Sequence, residues 1–239
     1  MRTTTSSAVA MGLVGAIAAW TSHGHAQEQK PTVQIPKAGV PEVMTIEGHF
    51  VRAAYNNEGY VVLGYETANR SVGDAWMLLE IGTTLREGVK DQKLTRGAIS
   101  LDTPDGKNIP LPSIEEYRSA ANDVQGAQMR NQVQRESINY FPPSATRACR
   151  LGFFSDLEDK AMAWDEVELS STRGCLGRLY FPVGGGVAHG QYFLNVKFAG
   201  SLVRVPFRVL TKDEEKLLSK NFSSIKKQVD AAFKPPKKK

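Results

Sequence analysis

Histidine and cysteine are the residues of this 239-residue chain best able to do chemistry, and both are scarce, with four His and two Cys. His23 and His25 fall in an N-terminal leader, which leaves His49 and His189. A zinc site needs three or four ligands at characteristic spacings. Two isolated histidines, together with Cys149 and Cys175 beside unrelated apolar runs, do not supply them, so neither a metal nor another cofactor is expected. Cys175 and His189 formally make a nucleophile and its base, but in an oxidising compartment a thiol with a partner cysteine is more often half of a disulfide. Cys149 and Cys175 follow the similar dipeptides Arg147-Ala148 and Arg173-Gly174, and each precedes a strand-like run. The pair is read as a disulfide, which on the chain-entropy model stabilises by about 3 to 4 kcal/mol. Two separately buried thiols are the alternative.

Carboxylates crowd one segment, DLEDKAMAWDEVEL, at Asp156, Glu158, Asp159, Asp165, Glu166 and Glu168. Two of them could serve an exported polysaccharide hydrolase as acid and base. Their spacing matches no calcium loop, and an acidic surface turn is the simpler reading. The chain has no Gly-x-Ser-x-Gly elbow, no Walker loop and no His-Glu-x-x-His. Gly184-Gly185-Gly186 precedes strand residues and not a helix N-terminus, so it reads as a strand connection and not a phosphate cradle. No catalytic residue is assigned. A binding surface is the better candidate: Phe193, Lys197, Arg204 and Arg208 share the outward register of two strands, and aromatic and Arg side chains suit an interface. The competing reading is an ordinary solvated sheet face.

The elements that must hold these residues are legible as periodicities. From Tyr192 to Val209 apolar residues alternate with polar ones on both sides of Ala199-Gly200-Ser201, which predicts a β-hairpin, and Leu179–Val183 predicts a strand before it. Met44 to Phe50 and Tyr60 to Tyr65 read as two antiparallel strands around Asn56-Asn57-Glu58-Gly59. Ala75 to Ile81 is apolar apart from Glu80 and reads as a strand or a short helix buried on both sides. Ala98–Leu101 and Ile109–Leu111 flank an Asp-Gly turn, a further hairpin. Ser113 and Glu116 satisfy the capping-box pattern, so a weakly amphipathic helix should run from there to about Ile138, bending or breaking at Gly126, with Ile114, Tyr117, Ala121, Val124 and Gln128 on one stripe. Strand character resumes over Cys149–Phe154, and Asp156–Leu169 is either a covering helix or an irregular loop. Thr211 and Glu214 open a second capped helix, with Leu218, Phe222, Ile225, Val229 and Phe233 on one face.

Arg2, an apolar run from Ala8 to Trp20 and a polar stretch ending Gly24-His25-Ala26 have the composition of a secretory signal peptide, residues 1–26. No Cys follows at the cleavage point, and no later segment approaches membrane-spanning length. The expected mature protein is exported, periplasmic or extracellular, with a flexible arm over 27–41, a β domain over 42–210 interrupted by the helical insertion 113–138, and a helix and basic tail over 211–239. From Lys212 onward nine Lys face four carboxylates, while residues 27 to 211 hold 20 basic and 21 acidic residues. The formal +5 is therefore a property of the tail, which argues against a nucleic-acid groove.

The strand signals in LTRGAISLDTPDGKNIPL, in GCLGRLYFPV and in the final FRVL resemble those of extracellular immunoglobulin-like β-sandwich domains on bacterial envelope proteins. The resemblance spans Val43 to Leu210, and the long insertion and the C-terminal helix depart from it. It implies an antiparallel β-sandwich that binds or spaces, and it brings no catalytic residues. The resulting expectation is a secreted, non-catalytic module that binds an envelope protein or polymer. The alternatives are the carboxylate hydrolase above and an assembly subunit docking through its C-terminal helix.

Overall fold

The computed structural model describes residues 43–155 and 162–233. These lie in the unit Gln34–Lys239; the other unit, Met1–Val33, falls outside the described residues, as do the expected leader and arm, Asp156, Glu158, Asp159 and the tail from residue 234. The chain is mainly β, with two sheets packed face to face. The larger sheet joins β1 (Val43–Gly48), β2 (Val51–Tyr55), β3 (Gly59–Gly64), β4 (Trp76–Leu85), β10 (Arg173–Pro182) and β8 (Arg147–Arg150) in that order. The smaller joins β12 (Leu202–Val209), β11 (Gly190–Lys197), β6 (Ile99–Asp102) and β7 (Asn108–Pro110), while β5 (Gln92–Thr95) and β9 (Glu166–Leu169) form a separate ribbon, and one short helical turn, α1 (Glu66–Asn69), follows β3.

The central strand is β4, and every one of its residues is buried. A strand covered on both faces has no reason to alternate, so the run at Ala75–Ile81, apolar except for Glu80, was ambiguous only in isolation, and it is a strand. Leu78, Glu80 and Gly82 pair with Tyr180, Arg178 and Leu176 on the outer face; Met77, Leu79 and Ile81 pair with Phe181, Leu179 and Gly177 on the inner face. β12 packs across β2 and β3, and Tyr65 meets Phe207 with ring centroids 5.2 Å apart. The hairpin β11–β12 keeps one register from Gly190↔Val209 to Lys197↔Leu202, so Tyr192, Leu194, Val196, Val203, Val205 and Phe207 all turn into the core. β10 and β11, contiguous in the sequence pattern, belong to different sheets, and the chain crosses between them through Gly185 and Gly186, both at positive φ.

The insertion differs from its expectation. Ser113 caps α2 (Ile114–Ser119) by accepting from the Glu116 amide, but the helix breaks at Ala120 instead of Gly126, and α3 (Ala121–Val133) ends five residues before Ile138. From Gln134 onward the chain is a strap laid across the outer face of the larger sheet. The Glu136 carboxylate accepts from the amides of His49 (3.1 Å) and Phe50 (2.8 Å), Ile138 packs with Val51, Ala53 and Val62, and Phe141 lies on β4 and β10. The strap lies this close because the strands beneath it carry glycine: a Cβ on Gly64, Gly82 or Gly174 would stand 2.7, 2.8 and 2.9 Å from Ile138, Phe141 and Phe141 respectively. Helical pitch is forfeited where those contacts win. The same carboxylate fixes the tight turn at His49-Phe50 that separates β1 from β2, a strand boundary the alternation alone did not give.

Behind the strap, α2 and α3 cover the rest of that face through a buried polar cluster. Gln128 lies on the apolar stripe and donates to the hydroxyls of Tyr117 (2.9 Å) and Tyr180 (3.0 Å), while Tyr117 donates to the Ser155 carbonyl (2.7 Å). A buried amide so satisfied costs little. The acidic stretch holds a third difference: Glu166–Leu169 is neither helix nor loop but β9, paired with β5 from Gln92↔Leu169 to Thr95↔Glu166. The helix α4 (Lys212–Ala232) has the full capping box, with Thr211 Oγ1 accepting from the Glu214 amide and the Glu214 carboxylate accepting from the Thr211 amide. It runs along the edge strand β1, where Phe222 lies against His49 with centroids 4.4 Å apart and Lys226 donates to the Ile46 carbonyl. A helix over an edge strand removes a template for unwanted pairing.

Candidate functional site

The two cysteines come together: β8 and β10 are parallel neighbours, Cys149 stands directly opposite Cys175, and the two form a disulfide. Cys175 is fully buried and bonded, so it has no thiol to pair with His189, and His189 is exposed in the connection between the sheets. His49 lies with Nδ1 3.6 Å from Glu136, far along the chain from any other histidine. Among the described residues no group of three or more His, Cys, Asp and Glu could hold a metal ion. The described part of the acidic segment is committed to cations: Asp165 faces Arg96 (3.1 Å), Glu166 faces Lys93 (2.5 Å) and Glu168 faces Arg173 (3.8 Å).

Phe193, Lys197, Arg204 and Arg208 all project from the outer face of the smaller sheet, on adjacent strands in one register. They are not equally free. Arg204 sits 3.8 Å above the Phe193 ring centroid and holds Asp102 at 2.7 Å, a guanidinium fixed by a cation–π contact and an ion pair together. Asp102 also accepts from Asn108 (2.7 Å), and Asn108 and Asn195 donate to Ser100, so a polar ladder runs across three strands. Arg208 is tied to the Glu214 carboxylate at 2.7 Å, linking β12 to the first turn of α4. Lys197 and Leu202, opposite one another at the far end of the hairpin, stand exposed.

Burial pushes the Asp102 carboxyl up, but hydrogen bonds from Asn108, Asn195 and Arg204 outweigh it and hold the group below its ordinary range. Glu58, desolvated but bonded by Ser201, Gly200 and Gln92, and Glu214, desolvated but bonded by Thr211 and Arg208, are lowered for the same reason. A carboxylate with a depressed folded-state pKa binds its proton less tightly folded than unfolded. Its stabilisation is present above the unfolded value and is lost as pH falls through the folded one. Urea midpoints should therefore be flat from about pH 7 to 5 and fall below about pH 4.5, and Asp102→Asn should shallow that decline; an unchanged acid limb in the variant would contradict the assignment.

The structure also exposes surfaces that no motif announced. A cavity of about 470 Å³ opens between β1 and the last turns of α4, lined by Val43, Met44, Tyr55, Lys226, Asp230 and Phe233. On the outer face of the larger sheet, Trp164 and Arg150 flank Gly152, Arg150 is paired with Leu176, and Leu176 adjoins Phe141, which makes a continuous aromatic and cationic strip. Its parts come from four separate stretches of chain, so only an expectation about which strands are neighbours could have found it. No family model matches the chain, and no curated protein or solved structure matches it either, so fold and surface carry the functional reading.

Proposed function

We propose that this chain is an exported, non-catalytic β-sandwich module of immunoglobulin-like type that binds a protein or polymer of the cell envelope through the open face of its four-stranded sheet. The observation that supports it most is the Arg204 guanidinium, held over Phe193 and against Asp102 before any partner arrives. Ordering a long side chain in advance removes part of the entropic cost of association, and Arg is enriched among hot-spot residues. Lys197, Leu202 and Arg208 extend the same surface along the hairpin. The disulfide and the absence of a membrane-spanning helix among the described residues are compatible with a mature chain in an oxidising compartment.

The test is retention of an envelope fraction on the immobilised mature chain, compared with a Lys197→Glu and Leu202→Glu double variant. Both positions are exposed, so folding should be unchanged while recovery of the bound component drops at least about tenfold, which is the loss of roughly 1.4 kcal/mol of binding. Equal recovery on both columns would sink the assignment of this face.

A further inference from the structure

The strand β8 is an oddity of the larger sheet. It is four residues long, parallel to β10, its only strand neighbour among the described residues, and three of its residues, Arg147, Ala148 and Arg150, are exposed. A short parallel strand that buries so little has weak reasons to stay in place, yet the Cys149–Cys175 bond fixes it to β10. The covalent staple thus holds rigid a strand whose outer edge has no strand beside it among the described residues.

Which backbone groups that edge presents follows from two hydrogen bonds. The amides of Arg147 and Leu151 donate to Thr172 (2.9 Å) and Leu176 (2.7 Å) on the β10 side. Backbone groups alternate in direction along a strand, so the N–H and C=O of Ala148 and Arg150 point away from β10. The next residue of that parity, Gly152, already accepts a hydrogen bond on this side, from the Trp164 amide at 2.8 Å. The edge can therefore take a backbone partner, and it does so where a chain runs beside it.

The side chains around the edge specify what such a partner must be. Arg147 and Arg150 lie on opposite faces of β8, both exposed, and neither has a carboxylate partner among the described residues. Beside Arg150 stand Trp164, 53% exposed, and Leu176, 37% exposed. We infer that β8 is a docking edge for an extended acidic segment of a partner protein, which adds to the sheet as a further strand, sets carboxylates against Arg147 and Arg150 on its two faces, and lays an apolar side chain on Trp164 and Leu176. Main-chain hydrogen bonds supply affinity in this mode and the flanking side chains supply specificity. A rigid edge pays less to be ordered on binding than a frayed one, which gives the disulfide a purpose beyond stability. The site lies on the other sheet from Phe193 and Arg204 and stands or falls independently of that face.

The probe is a fluorescent peptide of about ten residues, with glutamates three apart among valine and threonine, so that carboxylates reach both faces of an extended strand. With the full mature chain, disulfide intact, anisotropy should rise saturably and the emission of Trp164 should change. Arg150→Glu should weaken binding at least about tenfold. Ala148→Pro removes an amide that points away from β10, so it should leave the ladder and the melting temperature in place while abolishing binding. A peptide N-methylated at alternate residues should not bind. Failure of the wild-type chain to bind the peptide, or undiminished binding by Ala148→Pro or by the N-methylated peptide, would overturn strand addition. Hyaluronate binding that is lost in Arg150→Glu but untouched by Ala148→Pro would overturn it in favour of a charged polymer surface. A dimer in light scattering that Ala148→Pro dissolves would overturn it in favour of a second copy of this chain.

Discussion

Reduction of the Cys149–Cys175 bond is expected to lower the free energy of unfolding by about 3 to 4 kcal/mol, as the loop-entropy model gives for a sequence separation of 26. Most domains have only about 5 to 15 kcal/mol to lose, so the urea midpoint should move far. The loss should also be local. With the bond cut, β8 keeps its short parallel ladder to β10 and the buried Leu151 just beyond it, while Arg147, Ala148 and Arg150 are exposed and bury little that would hold it. Hydrogen exchange at Cys149 and Leu151 should quicken before that of β4, whose residues are all buried. Equilibrium urea unfolding with and without reductant measures the first effect and native-state exchange the second. A change below about 1 kcal/mol, or uniform acceleration across the sheet, would contradict a staple whose weight falls on the edge strand.

The second large effect is expected from Gly82→Leu. A Cβ there would meet the Phe141 ring at 2.8 Å and Leu176 Cδ2 at 3.2 Å, and the rest of the leucine would have to occupy the space in which the strap lies. Overpacking of this kind costs about 1 to 3 kcal/mol and occasionally more. Phe141 is the part that can move, so the strap should lift. Arg135, which holds Glu80 at 3.2 Å at the strap's entrance, should then become a faster tryptic site. Phe141→Ala in the same background should recover part of the lost stability because it removes the opposing ring, a non-additivity that a double-mutant cycle reads directly. Additive losses would show that Gly82 and Phe141 do not oppose one another.

Much of the fold could be read from local rules, and the reasons are specific. The hairpin from Tyr192 to Val209 alternates strictly because one face is core, and both Asp-Gly at 105–106 and Thr211 with Glu214 are local devices whose geometry is complete within a few residues. The cysteine pair was legible because its alternatives were few. What failed was non-local. Nothing between Gln134 and Phe141 says that Glu136 will leave helical pitch for the amides of His49 and Phe50, some 86 residues away. The strand character of Glu166–Leu169 was hidden because its partner, Gln92–Thr95, is as polar as it is. The helix break at Ala120 instead of Gly126 has no local signal at all.

The same division runs through the candidate surfaces. That Phe193, Lys197, Arg204 and Arg208 share a face follows from a period of two and needed no structure. That Arg204 is already engaged by Asp102 and Phe193, and Arg208 by Glu214, depends on which strand and which helix lie alongside. By itself the sequence determined the alternation, the caps and the turn chemistry, because each is settled by neighbours along the chain. Tertiary structure alone decided that β8 is an edge, that glycines in β3, β4 and β10 form a bed for the strap, and that Trp164, Arg150, Leu176 and Phe141 meet. Those are contacts between distant segments, chosen by the free energy of the whole packed sheet, and no window of sequence contains both sides of them.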